Sequence, residues 1–193
     1  MPVADPNRVV LTGENPFIRL SETDGAPFTT NASFWRIITS GAGPGHVLYI
    51  KSDLTADRWR IYSDNIAMAR WLQATVQGML NADLKDTSIP VTEAVFSKAG
   101  DARDYWTETA VAAGETLSLT WHDIGDPLLI HTYPNVGPDA RAYGVCTVLI
   151  PALGARVTRN GVQAKGTAFP RVREERPFST CALAFCESWT EER

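Results

Sequence analysis

The sequence predicts a mainly β protein: an antiparallel barrel or sandwich of about ten strands with one inserted α-helix near residues 64–82. Short runs of alternating apolar and polar residues recur along most of the chain, separated by glycine, proline or asparagine. Only one segment repeats apolar residues at helical spacing. Strands that do not alternate with helices argue against a wound α/β sheet. A chain of 193 residues suits a single domain.

Turn-forming residues bound the predicted strands. Asn160-Gly161 is the strongest hairpin signal of the chain. Two of the strands are apolar on both faces, as is typical of central strands. The tails 1–7 and 190–193 are expected to be loose. The predicted strands are Arg8–Thr12, Pro16–Glu22, Ser33–Thr39, His46–Ser52, Arg58–Tyr62, Val91–Lys98, Arg103–Val111, Leu117–Asp123, Leu128–Tyr133, Tyr143–Ile150, Ala155–Thr158, Gln163–Phe169 and Ser179–Trp189.

The predicted helix follows Ser63. Met68, Leu72 and Val76 recur at helical spacing, and Ser63 to Asn65 offer several N-cap side chains. We expect this helix to plug or cap one end of the barrel. Its apolar stripe is most simply explained by core packing, although its methionines and Trp71 would also suit one wall of an apolar pocket.

Composition excludes several classes of protein. A net charge of −4 without a basic face argues against a nucleic-acid binder. No run approaches the roughly 18 to 20 apolar residues that span a membrane, and no secretory signal is visible. Three cysteines without CxxC spacing suit reduced thiols in the cytoplasm. The sequence leaves open whether the protein forms a homodimer.

The segment Leu117–Tyr133 carries two of the three histidines of the chain. It predicts two strands joined by a tight turn at Gly125-Asp126-Pro127. Polar, titratable side chains alternate with bulky apolar ones along it, as in the wall of a lined cavity. General acid–base catalysis without a cofactor needs one or two such groups at shifted pKa. The predicted catalytic residues are His122, His131, Tyr133, Asp123 and Glu93.

The sequence contains no recognisable motif of a metal-dependent or cofactor-dependent enzyme. His122, His131, Asp123, Glu93 and Glu187 are of ligand type, but HxH and HExxH spacings are missing. The GAGPG run lacks the lysine of a phosphate-binding loop and has no clear helix after it, so it predicts a hairpin loop. Neither a GxSxG elbow nor a Rossmann fingerprint occurs. No metal and no cofactor are therefore predicted.

Six tryptophans are a high number for this length, and they are spread over most elements. Some of them would stack on a flat apolar or aromatic ligand, and an arginine beside them would hold a carboxylate. Trp121, Trp59, Arg60 and Trp71 are the predicted ligand-binding residues. Core packing and surface charge are the simpler explanations of the same residues.

In general architecture, many short antiparallel strands around a predicted pocket are similar to lipocalin barrels. The Gly-x-Trp entry of many lipocalins is absent from the first strand, so the resemblance implies an architecture and no residue roles. Three functions stay open: a cofactor-independent lyase, hydratase or isomerase using histidine; a non-catalytic small-ligand binder or carrier; and an assembly module whose strands pair with another chain. The histidines are also explained as structural residues. The ligand and the strand order do not follow from the sequence.

Overall fold

The computed structural model of the protein describes residues 8–136 and 141–191. Strands account for 58% of the chain and helix for 13%, which confirms the mainly β class. Both predicted tails lie largely outside the described residues. The strands are β1 Val9–Glu14, β2 Phe17–Leu20, β3 Thr30–Ser40, β4 Gly45–Ser52, β5 Arg60–Ser63, β6 Val91–Glu93, β7 Val95–Gly100, β8 Tyr105–Ala112, β9 Glu115–Ile124, β10 Leu128–Thr132, β11 Tyr143–Arg159, β12 Val162–Gln163, β13 Pro170–Arg173, β14 Arg176–Ser179 and β15 Ala182–Glu191.

One sheet of 13 strands forms the molecule, and β13 and β14 pair separately as a hairpin. The main path of the sheet runs β6-β5-β4-β3-β1-β15-β11-β9-β8-β7. Its two ends, β6 and β7, are consecutive in the chain, with only Ala94 between them. The Ala94 N–H donates to the Ser63 carbonyl at 3.0 Å. The same stretch of chain therefore borders both ends of the sheet, which makes the architecture barrel-like.

The concave side of the sheet is filled by a large apolar cluster, here called the inner core. Phe34, Leu48, Leu119 and Trp121 are buried in it. Strand alternation explains which residues of each strand belong to the inner core, since residues two apart on a strand share a face. Leu48 and Ile50 of β4 therefore belong to the inner core.

The helix lies against the opposite, outer face of the sheet. It consists of α1 Ile66–Leu72, a π turn Gln73–Gln77, α2 Gly78–Leu80 and a 3₁₀ turn Ala82–Lys85. Its position confirms the predicted insertion, and Asn65 caps it by accepting from the Met68 N–H at 3.0 Å. The expectation that it plugs the barrel is wrong. Its apolar stripe packs on Val47 and Tyr49. The side chains of these two residues face outward because they alternate along β4 with those of the inner core.

The predicted tight turn between β9 and β10 is also wrong. Both strands pair with β11 on the same side, β9 with residues 152–159 and β10 with residues 145–149. They therefore run one after the other along a single partner. Gly125 donates its N–H to the Pro151 carbonyl at 2.8 Å, while Pro127 has no N–H to offer. Because β11 is 17 residues long, it provides backbone partners for both strands.

Candidate functional site

A cleft of about 690 Å³ opens on the outer face of the sheet. Strands β10, β11 and β15 form its floor, and the β13–β14 hairpin and the segment around Arg19 and Phe28 form its rim. Its volume lies in the range of small-molecule sites. We call it the outer cleft.

A β-bulge in β15 decides which side chains reach this cleft. Cys146 and Val148 of β11 pair with Ser188 and Phe185, so two residues of β15 oppose one of β11. Cys186 takes a left-handed φ of 52° at this point. The extra residue reverses the alternation, and Glu187 and Trp189 line the cleft. Simple alternation would have placed them on the same face as Phe185, towards the inner core.

Glu187 is a buried carboxyl in the cleft floor, with 4% of its surface exposed. The indole N–H of Trp189 donates to Oε1 at 2.7 Å, and the Asn15 amide donates to the same oxygen at 3.5 Å. Desolvation raises the pKa of Glu187 to about 7, because burial penalises the ionised form more than these hydrogen bonds favour it. Glu187 can therefore both donate and accept a proton near neutral pH.

Four arginines line the same cleft: Arg19, Arg141, Arg171 and Arg173. Arg171 pairs with Asp24 at 2.7 Å, and Arg173 lies over the Phe178 ring. Aromatic rings supply much of the remaining lining, with Tyr143 and Trp189 in edge-to-face contact at 6.1 Å. The outer cleft thus combines apolar walls, a rim with four arginines and Glu174, and one buried carboxyl, Glu187.

The predicted catalytic residues do not come together. His122 and Asp123 form an exposed pair, with Nδ1 and Oδ2 2.9 Å apart. His131 is exposed as well, and its ring lies 4.6 Å from that of Tyr133. On β11 the partners of the two histidines, Gly154 and Cys146, are eight residues apart. That separation corresponds to roughly 25 Å of extended strand.

Two of the five predicted catalytic residues border a depression. Tyr133 lines the outer cleft. Glu93 lines a shallow depression elsewhere, beside His46 and Asp64. Among the described residues, His122, His131 and Asp123 line neither of these two depressions.

The predicted ligand-binding residues lie in other parts of the fold. Trp121 is fully buried in the inner core, where its indole N–H donates to the Phe17 carbonyl at 2.9 Å. Trp59 bonds Asp83 at 3.3 Å, and Arg60 lies 3.8 Å from Glu115. Trp71 is half-buried on the helix, next to Gly41. Within the described ranges, none of these four lines the outer cleft.

A second polar group, here called the Arg36 cluster, comprises Glu14, Arg36, His46, Asp64 and Glu108. Arg36 forms an ion pair with Glu14 and another with Glu108 at 2.7 Å. Its Nε–H donates to His46 Nε2 at 3.2 Å, and His46 Nδ1 lies 2.6 Å from Asp64. Because Arg36 occupies Nε2, His46 has no free lone pair for proton transfer. The cluster is therefore the weaker candidate site.

Glu187 carries a sequence signal that motif searches do not use. It is the single acidic residue of the mainly apolar predicted strand Ser179–Trp189, two residues before a tryptophan. A buried carboxyl beside an indole donor is consistent with that pattern. His46, by contrast, has no distinguishing context in the sequence.

Residues 8–136 and 141–191 contain no group of three or more histidine, cysteine, aspartate or glutamate side chains arranged to hold a metal ion. In the same ranges, no helix has the length and apolar character needed to cross a membrane.

Comparison with protein-family models, with curated proteins and with solved structures finds no match to this chain. A function must therefore be inferred from the site itself.

Proposed function

We propose that the protein binds a small, mainly apolar molecule in the outer cleft and that Glu187 transfers a proton to or from it without a cofactor. The reaction class is that of a lyase, hydratase or isomerase. One observation carries the proposal: a buried carboxyl with a pKa of about 7 lies in the floor of a cleft of small-molecule size. A pKa near the working pH is what general acid–base catalysis requires.

The contacts of Glu187 suit this role. The Trp189 and Asn15 hydrogen bonds both reach Oε1 and hold the carboxyl in one orientation. We assign the proton transfer to Oε2. Above pH 7 the group would act as a base and below pH 7 as an acid. Glu187 thus takes the role that the sequence suggested for His122 and His131, whose catalytic function stays a prediction.

The alternative is a binder or carrier that uses the same cleft without chemistry. The hydrogen bonds to Glu187 favour it, because a carboxyl that is held by an indole and an amide is also satisfied as a structural group. With either function we propose a cytoplasmic location, which the three free thiols support.

Hydrogen exchange into a carbon acid separates the two functions. The protein would be incubated in D₂O with 2-tetralone, an uncharged apolar ketone, and loss of the α-proton signal followed by NMR. We expect the E187Q variant to exchange about 100-fold more slowly than the wild-type protein. The wild-type rate should rise through pH 7, as the base form of Glu187 becomes populated.

The matched control is E191Q, which changes an exposed glutamate on the same strand. It should exchange at the wild-type rate. Bound 2-tetralone with equal exchange in the wild-type and E187Q proteins would overturn the catalytic function in favour of the binder. Absence of 2-tetralone binding would contradict the apolar site itself.

A further inference from the structure

Arg19 and Arg141 have no carboxylate partner within the described part of the chain. Four of the other described arginines, Arg36, Arg60, Arg159 and Arg171, have a carboxylate partner. Arg36 binds two glutamates, Arg159 binds Glu115 at 2.6 Å and Arg171 binds Asp24 at 2.7 Å. Acidic residues outnumber basic ones, 22 to 18, so potential partners are not scarce. Two guanidinium groups that line one cleft without a carboxylate partner are available to an anionic ligand.

These two arginines are close enough to influence each other. Arg141 acts electrostatically on both Arg19 and Glu187, and all three residues line the cleft. Partial desolvation, followed by repulsion from Arg141, lowers the pKa of Arg19, which nevertheless stays a cation. An anion bound between the two guanidinium groups would relieve their repulsion.

Aromatic rings lie directly beside one of these two cations, Arg19. The Arg19 guanidinium lies 5.1 Å from the centre of the Phe17 ring and 5.9 Å from that of Phe28. Both rings line the outer cleft, together with Phe178. A ligand with its charge at Arg19 would thus have its body against apolar and aromatic surface.

We propose that the ligand of the outer cleft is a flat, mainly apolar molecule with one carboxylate, and that Arg19 and Arg141 hold this carboxylate. The inference rests on the function proposed above, because it names the ligand class of the same site. The planar guanidinium group matches a carboxylate in a two-pronged geometry. A single negative charge also suits the site better than two, since ionised Glu187 lies within electrostatic range of Arg141.

Isothermal titration calorimetry with matched probes tests the inference. The probes are 2-naphthoate, which carries the carboxylate, and 2-naphthamide, which has the same body without the charge. We expect the wild-type protein to bind 2-naphthoate at least about tenfold more tightly than 2-naphthamide. R19Q and R141Q should each lose most of this preference and bind 2-naphthamide as the wild-type protein does.

The control variant R103Q removes an exposed arginine that does not line the cleft. It should keep the preference for 2-naphthoate, and circular dichroism should show that all variants are folded. Equal affinity for both probes, or a preference that survives in an R19Q/R141Q double variant, would overturn the arginine assignment while the apolar site stands. Tighter binding of 2-naphthyl phosphate would overturn the choice of a carboxylate. If neither naphthalene probe binds the folded protein, the proposed function itself fails.

Discussion

Two buried glutamates show how the neighbourhood of a carboxyl decides its role. Desolvation raises the pKa of both Glu108 and Glu187. Glu108 has a direct ion pair with Arg36 at 2.7 Å, whereas Glu187 has hydrogen bonds from neutral donors and only a more distant cation, Arg141. A directly paired carboxylate keeps its charge more readily. Glu187 is therefore the residue whose protonation state should change near neutral pH.

The stability of the protein should depend on the protonation of Glu187. Its pKa is about 7 in the folded protein and 4.5 as its ordinary value, so the folded state binds this proton more tightly. The free energy of unfolding should consequently fall as pH rises from about 4.5 to about 7, by about 3 kcal/mol, and stay constant above. The glutamine of E187Q cannot ionise, so this variant should not show the decrease in the free energy of unfolding.

Urea denaturation of the wild-type and E187Q proteins at pH 4.5 and pH 8 would measure the effect. The contribution of Glu108 is present in both proteins and cancels in the difference between them. We expect E187Q to gain stability relative to the wild-type protein as pH rises. Parallel pH profiles would show that Glu187 has an ordinary pKa, which would also remove the basis for its role as a base.

At the scale of the single element, a buried glutamine ties the middle of the helix to its last turn and to the residue that follows it. The Gln73 amide donates to the Leu84 carbonyl at 2.8 Å and to the Asp86 carbonyl at 2.9 Å. Its Oε1 accepts from Arg70 at 2.7 Å. From the π turn, one side chain thus satisfies one carbonyl of the 3₁₀ turn and one just after it.

Replacement of Gln73 by alanine should destabilise the protein by about 2 to 3 kcal/mol, because two carbonyls lose a donor and the Arg70 guanidinium loses one of its two acceptors. The matched control is Gln163→Ala on the exposed strand β12, which should change stability by less than about 0.5 kcal/mol. Urea denaturation of both variants compares them. Similar stabilities would indicate that water replaces the contacts of Gln73.

Prediction of single elements succeeded where one local pattern sufficed. The helical spacing of Met68, Leu72 and Val76 located the helix, since one apolar stripe needs only one face to bury it. The turn that was wrongly predicted between β9 and β10 shows the limit of prediction from a local pattern. Glycine and proline at 125–127 indicate an interruption of the strand, but the chain reverses or continues according to the partner available. That partner, β11, lies about 20 residues further on.

At the scale of the whole molecule, the continuous stretch β6–Ala94–β7 connects the two ends of the sheet. Its β6 part pairs in parallel with β5, and its β7 part pairs antiparallel with β8. The Ala94 N–H donates to Ser63 where the pairing changes from one neighbour to the other. The integrity of the sheet should therefore depend strongly on this position.

Substitution of Ala94 by proline removes that N–H and should destabilise the protein by about 3 kcal/mol or more. Ala94→Gly keeps the N–H and should lose only about 1 kcal/mol. Amide hydrogen exchange would show whether β5 and β8 lose protection together in the proline variant, as expected for a sheet joined at this stretch. Loss of protection in only one of them would contradict the connection.

The sequence by itself determined the class of the fold, the presence and place of the helix and most of the strands, because these follow from periodicity within short segments. It also suggested a small-molecule site with acid–base chemistry at His122 and His131 and with Arg60 near a carboxylate, and these roles stay predictions. Only the tertiary structure decided which residues meet. A bulge at Cys186 turns Glu187 into the outer cleft, and strand pairing brings Arg19 to its rim while Arg60 lies beside Glu115. A one-residue shift reverses the face of every following side chain, and no local pattern records it.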